Sequence, residues 1–397
     1  MTNVDGLLLE AVSSGQVSGV VAMAVANGCP PYTGAYGVRA SLNSSRMSTD
    51  TVFQVEALLR PVMAVAALQL VDSGVIGLDQ PLRTVIPALS RPSVLTGFNR
   101  RGAPVLRPAR GEITLRQVLS HTAGLAVGSW WQVPAEPDDP LGMDLWGESP
   151  RADTVVLLAD PGTRWLHCSD ADVVGMIIEQ VSGMTAAEYL EGEIFLELGM
   201  RDTGFDVGPR SRAKLAGGWL EHDGLDGYGS FYTTPKDYFE FVEAVLWGDQ
   251  SLLSPESFEL LRSNQIGALP VPKKLDLREV RTPGELNFYP EIRLHPAVAA
   301  TWSLGFMVNP EDIPDGPEAG TLSCAGDANS YCWMDPAAGV AGLMFAQPKA
   351  GRPDGAEALF GMFQRAVYAG RRAHLRRGEV SGPSDDWPHD TSRLWWL

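Results

Sequence analysis

Lysine is the scarcest charged residue in this chain of 397 residues. Only five lysines are present among 31 basic side chains, set against 48 acidic ones, and the formal net charge is −17. A surplus of negative charge that large argues against a nucleic-acid or anionic-membrane partner, since both need basic surface. Cysteine is scarce too. Cys29, Cys168, Cys324 and Cys332 have no spacing that reads as a zinc site or a redox pair along the chain. No metal and no organic cofactor is called for. Long apolar runs are missing, and none reaches the length of a membrane span. The opening residues, Met-Thr-Asn-Val-Asp-Gly-Leu-Leu-Leu-Glu, lack a basic start, an apolar stretch and a small-residue cleavage site. They read as the start of an amphipathic helix, and a cytoplasmic protein is expected.

What is present is enough for an enzyme-sized body. With 45% hydrophobic residues the chain can bury a large core, or two lobes sharing a cleft. Gly19–Ala26 and Tyr32–Val38 read as a strand pair around a turn at Gly28-Cys-Pro-Pro31. From Pro61 to Ser73 apolar residues follow helical spacing and fill almost every position, so this helix should be buried. Residues 83–112, rich in Pro, Arg and Gly, read as irregular surface structure. Helical patterns follow at Val173–Val181 and Ala186–Phe195. Gly267–Pro296 is loop-rich and expected to border a pocket. Ala338–Gln347 reads as an apolar strand and Ala356–His374 as a closing helix. Beyond 374 the chain is polar, yet it ends in Leu394-Trp-Trp-Leu397. Two tryptophans rarely stay in water, so the tail is expected to pack on its own body or on a second copy in a homodimer.

Six blocks of sequence carry a resemblance. Gly74-Val-Ile-Gly-Leu-Asp-Gln-Pro81 closes the first, which begins near residue 48. Ile113-Thr-Leu-Arg-Gln-Val-Leu-Ser-His-Thr-Ala-Gly-Leu125 is the second. Pro161-Gly-Thr-Arg-Trp165 and Leu198-Gly-Met-Arg-Asp-Thr-Gly-Phe205 bracket the third. Tyr228-Gly-Ser-Phe-Tyr-Thr-Thr-Pro-Lys-Asp-Tyr238 and Trp333-Met-Asp-Pro336 supply the later ones. In content and order they resemble class C β-lactamases, penicillin-binding proteins and their carboxylesterase relatives (the family VIII branch). That resemblance implies an α/β (α+β) fold of the β-lactamase/transpeptidase type, an antiparallel sheet flanked by helices with an inserted helical lobe. By analogy residues 1–82 and 206–372 form the α/β lobe, 83–205 the helical lobe and 373–397 a tail. The cleft between the lobes should hold the site.

The resemblance breaks where the family's chemistry lies. Phe53-Gln-Val-Glu-Ala-Leu-Leu-Arg-Pro61 stands where the family carries Ser-x-x-Lys, so the serine position is Ala57 and the lysine position is Arg60. Counting from Pro161-Gly-Thr-Arg-Trp165 and from Asp172-Val-Val-Gly175 puts the family's catalytic tyrosine at His167, followed by Cys168. Counting back from Trp333 puts the family's Lys-Thr-Gly-like block at Cys324-Ala325-Gly326. Ala57 has no atom that can attack an acyl group. Arg60 stays protonated to pH above ~12 and cannot serve as a base, but it can hold a carboxylate, phosphate or enolate by two parallel hydrogen bonds. His167, with an ordinary pKa near ~6.5, suits proton transfer at neutral pH. Glu56 and Asp170 are near enough in sequence to orient it, and Glu56 can equally pair with Arg60 at i+4. Expected catalytic residues are therefore His167, Arg60 and Glu56. Ala57, Cys168, Asp170, Tyr228, Cys324, Ala325 and Gly326 are expected to line the substrate site. His121 is expected to be structural, and Ser211-Arg-Ala-Lys214 to match Ser-x-x-Lys by chance.

Three functions compete on these residues. The favoured one is a repurposed enzyme doing non-covalent acid–base chemistry on a small organic molecule, such as a cyclisation, elimination, isomerisation or addition. The second is a pseudoenzyme that binds a small molecule or a partner protein without turnover. The third is an esterase or acyltransferase with Cys168 or Cys324 as nucleophile. A simple serine knockout explains Ala57 but leaves Arg60, His167 and Cys324 unexplained.

Overall fold

The computed structural model describes residues 4–39, 45–99, 104–125, 155–166, 170–206, 208, 211, 214–216, 231–272, 300–326, 329–348 and 355–376. Twelve strands are found among them. β1 (Val17–Ala26) and β2 (Tyr32–Gly37) open the chain, and β3 (Phe53–Gln54) pairs with the distant β7 (Tyr232–Thr233). β4 (Ser93–Phe98), β5 (Pro104–Pro108) and β6 (Val156–Leu157) form a small sheet. The main sheet adds β8 (Thr301–Trp302), β9 (Met307–Val308), β10 (Leu322–Gly326), β11 (Ser330–Asp335) and β12 (Val340–Pro348). Its order is β2-β1-β12-β11-β10-β9-β8, antiparallel throughout, so the first strands of the chain lie beside the last.

β1 reads Val-Ser-Gly-Val-Val-Ala-Met-Ala-Val-Ala and is buried on both faces. Side chains alternate along a strand, and here the two sets enter two cores. Val20, Ala22 and Ala24 join one cluster with Val4 and Leu8 of α1 (Val4–Ser13) and Phe360 and Phe363 of the closing helix Gly355–Arg376. Val21 and Val25 join the other, with α2 (Leu59–Asp72) and the helix Pro235–Trp247. A strand covered on both faces has no reason to alternate polar and apolar residues, and this one does not. Carboxylates pin the outer helices. Buried Asp335 accepts from Tyr368 Oη at 2.7 Å and from the Glu318 and Ala338 amides, and Asp5 accepts from Tyr32 and Tyr36 hydroxyls at 2.8 and 2.6 Å.

α2 is as buried as its sequence requires, with nine of its side chains from Pro61 to Leu70 and Leu59 in the core. α3 (Leu115–Leu119) starts with a capping box between Thr114 and Gln117. α4 (Asp170–Ser182) begins three residues before the expected pattern, and α5 (Ala186–Leu190) continues as a single π-helical turn, Glu191–Phe195. One expectation is overturned. Residues 93–98 and 104–108, within the stretch read as irregular, are a bulged hairpin whose third strand is supplied in parallel by β6. A partner some sixty residues downstream leaves no local signal. Most of Gly267–Pro296 and the tail beyond 376 lie outside the described residues.

Candidate functional site

The site is built where α2 begins. Val55 N–H donates to Phe231 O at 2.9 Å, Leu58 N–H returns to Val55 O at 2.7 Å, and Tyr238 Oη donates to Leu58 O at 2.8 Å. These bonds hold a 3₁₀ turn, Glu56–Leu58, that feeds directly into the buried helix. Ala57 lies on that turn and is half-buried. β10 runs against it. The Cys324 thiol donates to Ala57 O at 3.5 Å. A Cβ on Gly326 would sit 2.9 Å from Ala57 Cβ and 3.0 Å from Ser330 Oγ, so only glycine lets the strand approach the turn this closely. Ala57, Cys324 and Gly326 are thus brought together as the resemblance implies. Ala325 faces the other way: strand alternation puts its side chain with Tyr331 in the cluster under the closing helix, and only its backbone stays at the edge of the site.

Ser330 escapes a reading of the sequence. It pairs with Gly326 across the β10–β11 hairpin, its side chain is buried, and an added Cβ on Gly326 would meet its hydroxyl at 3.0 Å. The only signal is its place four residues after Gly326, which has meaning once the hairpin register is known.

Arg60 occupies the first turn of α2 and is half-buried. Its cation acts on His121, whose pKa is held well below the ordinary value, first by complete burial and then by that positive charge. His121 is therefore neutral. It lies edge-on to Trp302 at 5.0 Å and to Trp165 at 5.7 Å, and it adopts φ +57°, a left-handed backbone that side chains other than glycine and asparagine seldom take. Its carbonyl accepts from Leu166 N–H at 2.8 Å, and Leu119 O accepts from Gly305 N–H at 3.0 Å. Gly305, at φ +91°, packs so close to α2 that an added Cβ would meet Ala64 Cβ at 2.7 Å. The second block, the β8–β9 turn and the start of α2 are thus locked into one body beside Arg60. His121 is a buried packing residue, as expected.

The side chains of Glu56 and Asp170, and the whole of His167, Cys168 and Tyr228, lie outside the described residues. Ser211 and Lys214 are accounted for elsewhere. Ser211 Oγ donates to Asp202 at 2.9 Å and Lys214 Nζ pairs with the same carboxylate at 3.2 Å, so the Ser-x-x-Lys match is a loop clamp. Among the described residues no group of three side chains could hold a metal ion, and no helix is long and apolar enough to cross a membrane.

Comparison with known proteins agrees with this architecture. The model of the family described as Beta-lactamase matches residues 4–366. The chain belongs to the Beta-lactamase family. Among curated members, it is 26% identical to monacolin J acid methylbutanoyltransferase of Aspergillus terreus, covering 91% of this chain and 94% of that protein. It is 25% identical to a lovastatin esterase of Penicillium rubens, covering 83% and 89%. Among solved structures, a mutant simvastatin synthase from Aspergillus terreus superposes with a TM-score of 0.78 at 24% identity, covering 94% of this chain and 99% of that one. The β-lactamase/transpeptidase-like fold, an antiparallel sheet between helices, follows from that superposition. Members of this family with curated functions include acyltransferases and esterases acting on small molecules.

Proposed function

We propose that this Beta-lactamase family member is an enzyme that carries out non-covalent acid–base chemistry on a small organic molecule, in the pocket that its relatives use for acyl groups. The observation that carries the reading is the pair of changes on one turn. A methyl group at Ala57 stands against β10 where a nucleophile would have to sit, and Arg60, a permanent cation, stands one turn along. A methyl group cannot form an acyl-enzyme, whereas a guanidinium can hold a carboxylate or stabilise a developing enolate or alkoxide. His167 directly follows Leu166, whose amide is held by the His121 carbonyl. It is proposed as the proton-transfer residue, tuned by Glu56 or Asp170. Relatives are named for monacolin J acid and lovastatin, and this supports a substrate that carries a carboxylate or ester. The reading also includes a cytoplasmic reaction, in a cleft between an α/β lobe and the 83–205 insertion.

A second reading has one specific observation behind it. The half-buried Cys324 thiol lies 3.5 Å from Ala57 O, close enough to the emptied position to act as a nucleophile in its place. Intact-protein mass after exposure to activated esters, a penicillin and a fluorophosphonate separates the two, with an Ala57→Ser/Arg60→Lys variant beside the natural chain. No adduct on the natural chain and acylation of the variant is the expected result. An adduct mapped to Cys324 or Cys168 replaces the proposal with thiol catalysis. If substrates of acid–base chemistry bind but are never turned over, and His167→Ala binds them equally, the protein is a binding pseudoenzyme instead.

A further inference from the structure

Cys324 and Cys332 are separated by seven residues, a spacing that signals nothing along the chain. The β10–β11 hairpin makes them partners: Cys324 stands directly opposite Cys332 in register. Directly opposed residues on antiparallel strands point to the same face, with Cβ atoms about 4.5–5.5 Å apart. A disulfide needs about 3.5–4.5 Å between the same atoms. The two windows touch, so a side-chain rotation and a small approach of the strands close the distance. Both side chains meet the core on the α2 side of the sheet, and both are reduced in this structure. They differ in access. Cys324 is half-buried against the Ala57 turn, whereas Cys332 has no exposed surface.

We propose that Cys324 and Cys332 form a thiol–disulfide pair that is charged by a low-molecular-weight disulfide and alters the pocket wall when it closes. The Cys324 thiolate attacks one sulfur of the small disulfide, forming a mixed disulfide and releasing one thiol. Cys332 then attacks the Cys324 sulfur, forming the cross-strand bond and releasing the second thiol. Two protein thiols and one small disulfide become one protein disulfide and two small thiols, with no other oxidant. Access fixes the order, because only Cys324 can meet a reagent. Burial pushes the Cys332 thiol well above its ordinary pKa, with the nearby Cys324 adding to the shift, so the second step is the slow one and quickens at alkaline pH.

The consequence is local and reaches the site. In the reduced protein the Cys324 S–H donates to Ala57 O, the carbonyl of the turn that leads to Arg60. A disulfide has no proton to donate, and its sulfur is drawn along the sheet toward Cys332. Oxidation therefore removes this hydrogen bond between β10 and the Ala57 turn. This holds whichever reaction the pocket performs.

The test is to treat the fully reduced protein with oxidised glutathione at pH 8.5 and measure its intact mass without reductant. Cleavage after Tyr331, which separates the two cysteines, then maps the link. The expected product is lighter by about 2 Da, the two hydrogens lost on pairing, with Cys324 and Cys332 linked. Iodoacetamide added after unfolding should label all four cysteines of the reduced protein and only Cys29 and Cys168 of the oxidised one. Cys332→Ala should stop at a stable glutathione adduct on Cys324. If that variant fails to fold, the mass and thiol count of the natural chain still decide. A natural chain that keeps the adduct on Cys324, or retains four labelled thiols, overturns the pairing.

Discussion

His121 shows how much a single residue can couple. Its ring is shut between Trp165 and Trp302, its carbonyl holds Leu166, and its backbone sits at φ +57°. Burial and the Arg60 cation hold it neutral. Folded His121 therefore refuses a proton that the unfolded chain accepts below about pH 6.5. The unfolded state binds more protons there, so this group's share of the stability is lost as pH falls through that value and is restored above it. Urea unfolding should show a steeper loss between pH 7 and 5 in the natural protein than in His121→Asn, a replacement that tolerates the left-handed backbone. Equal pH slopes in the two proteins would contradict a neutral, buried imidazole. That Ala57 and Arg60 stand at the head of a buried helix was legible from the sequence at this scale. Ser330 was not, because its place opposite Gly326 depends on the hairpin register.

Among the elements, the helix Pro235–Trp247 combines clear sequence signals with three carboxyl groups that burial pushes up, Asp237, Glu240 and Glu243. Thr234 caps it, its side chain accepting from Asp237 N–H, and Pro235 fills the first turn. Asp237 also fastens the earlier Asp202–Thr203 turn by accepting from Asp202 N–H at 2.7 Å and Thr203 Oγ at 3.0 Å. Further along, burial pushes Glu243 up to about 7, with the nearby Glu240 adding to the shift. A carboxyl raised in the folded state binds a proton that the unfolded chain has already lost, so it costs stability as pH rises from about 4.3 toward 7. Glu243→Gln should raise the urea midpoint relative to the natural protein at pH 8 and by less at pH 5. A gain of equal size at both values would point to packing and not to charge. β1 and α2 were readable from apolar pattern alone because each lies buried along most of its length, and the closing helix because Ala356, Leu359, Phe360, Phe363 and Val367 form one buried stripe at helical spacing. The β4–β5 hairpin was not, since its composition is that of a surface loop and its third strand comes from residues 156–157.

On the scale of the whole molecule, a net charge of −17 acts against compactness through self-repulsion. Raising sodium chloride from about 10 to about 200 mM shortens the screening length from roughly 30 Å to below 10 Å, so the urea midpoint should rise over that range. A flat or falling midpoint would show that the acidic groups are locally paired well enough to cancel the field. The sequence by itself determined the family, the buried helix with Ala57 and Arg60 at its head, and the acidic balance of the chain, because block order, apolar period and charge are properties of a linear chain. Tertiary structure alone decided which of those residues meet. It set β1 beside β12 across some three hundred residues, turned Ala325 away from Ala57 while bringing Gly326 to it and Ser330 opposite Gly326, and stood Cys324 opposite Cys332. Register makes those choices, since a shift of one residue sends every side chain of a strand to the other face.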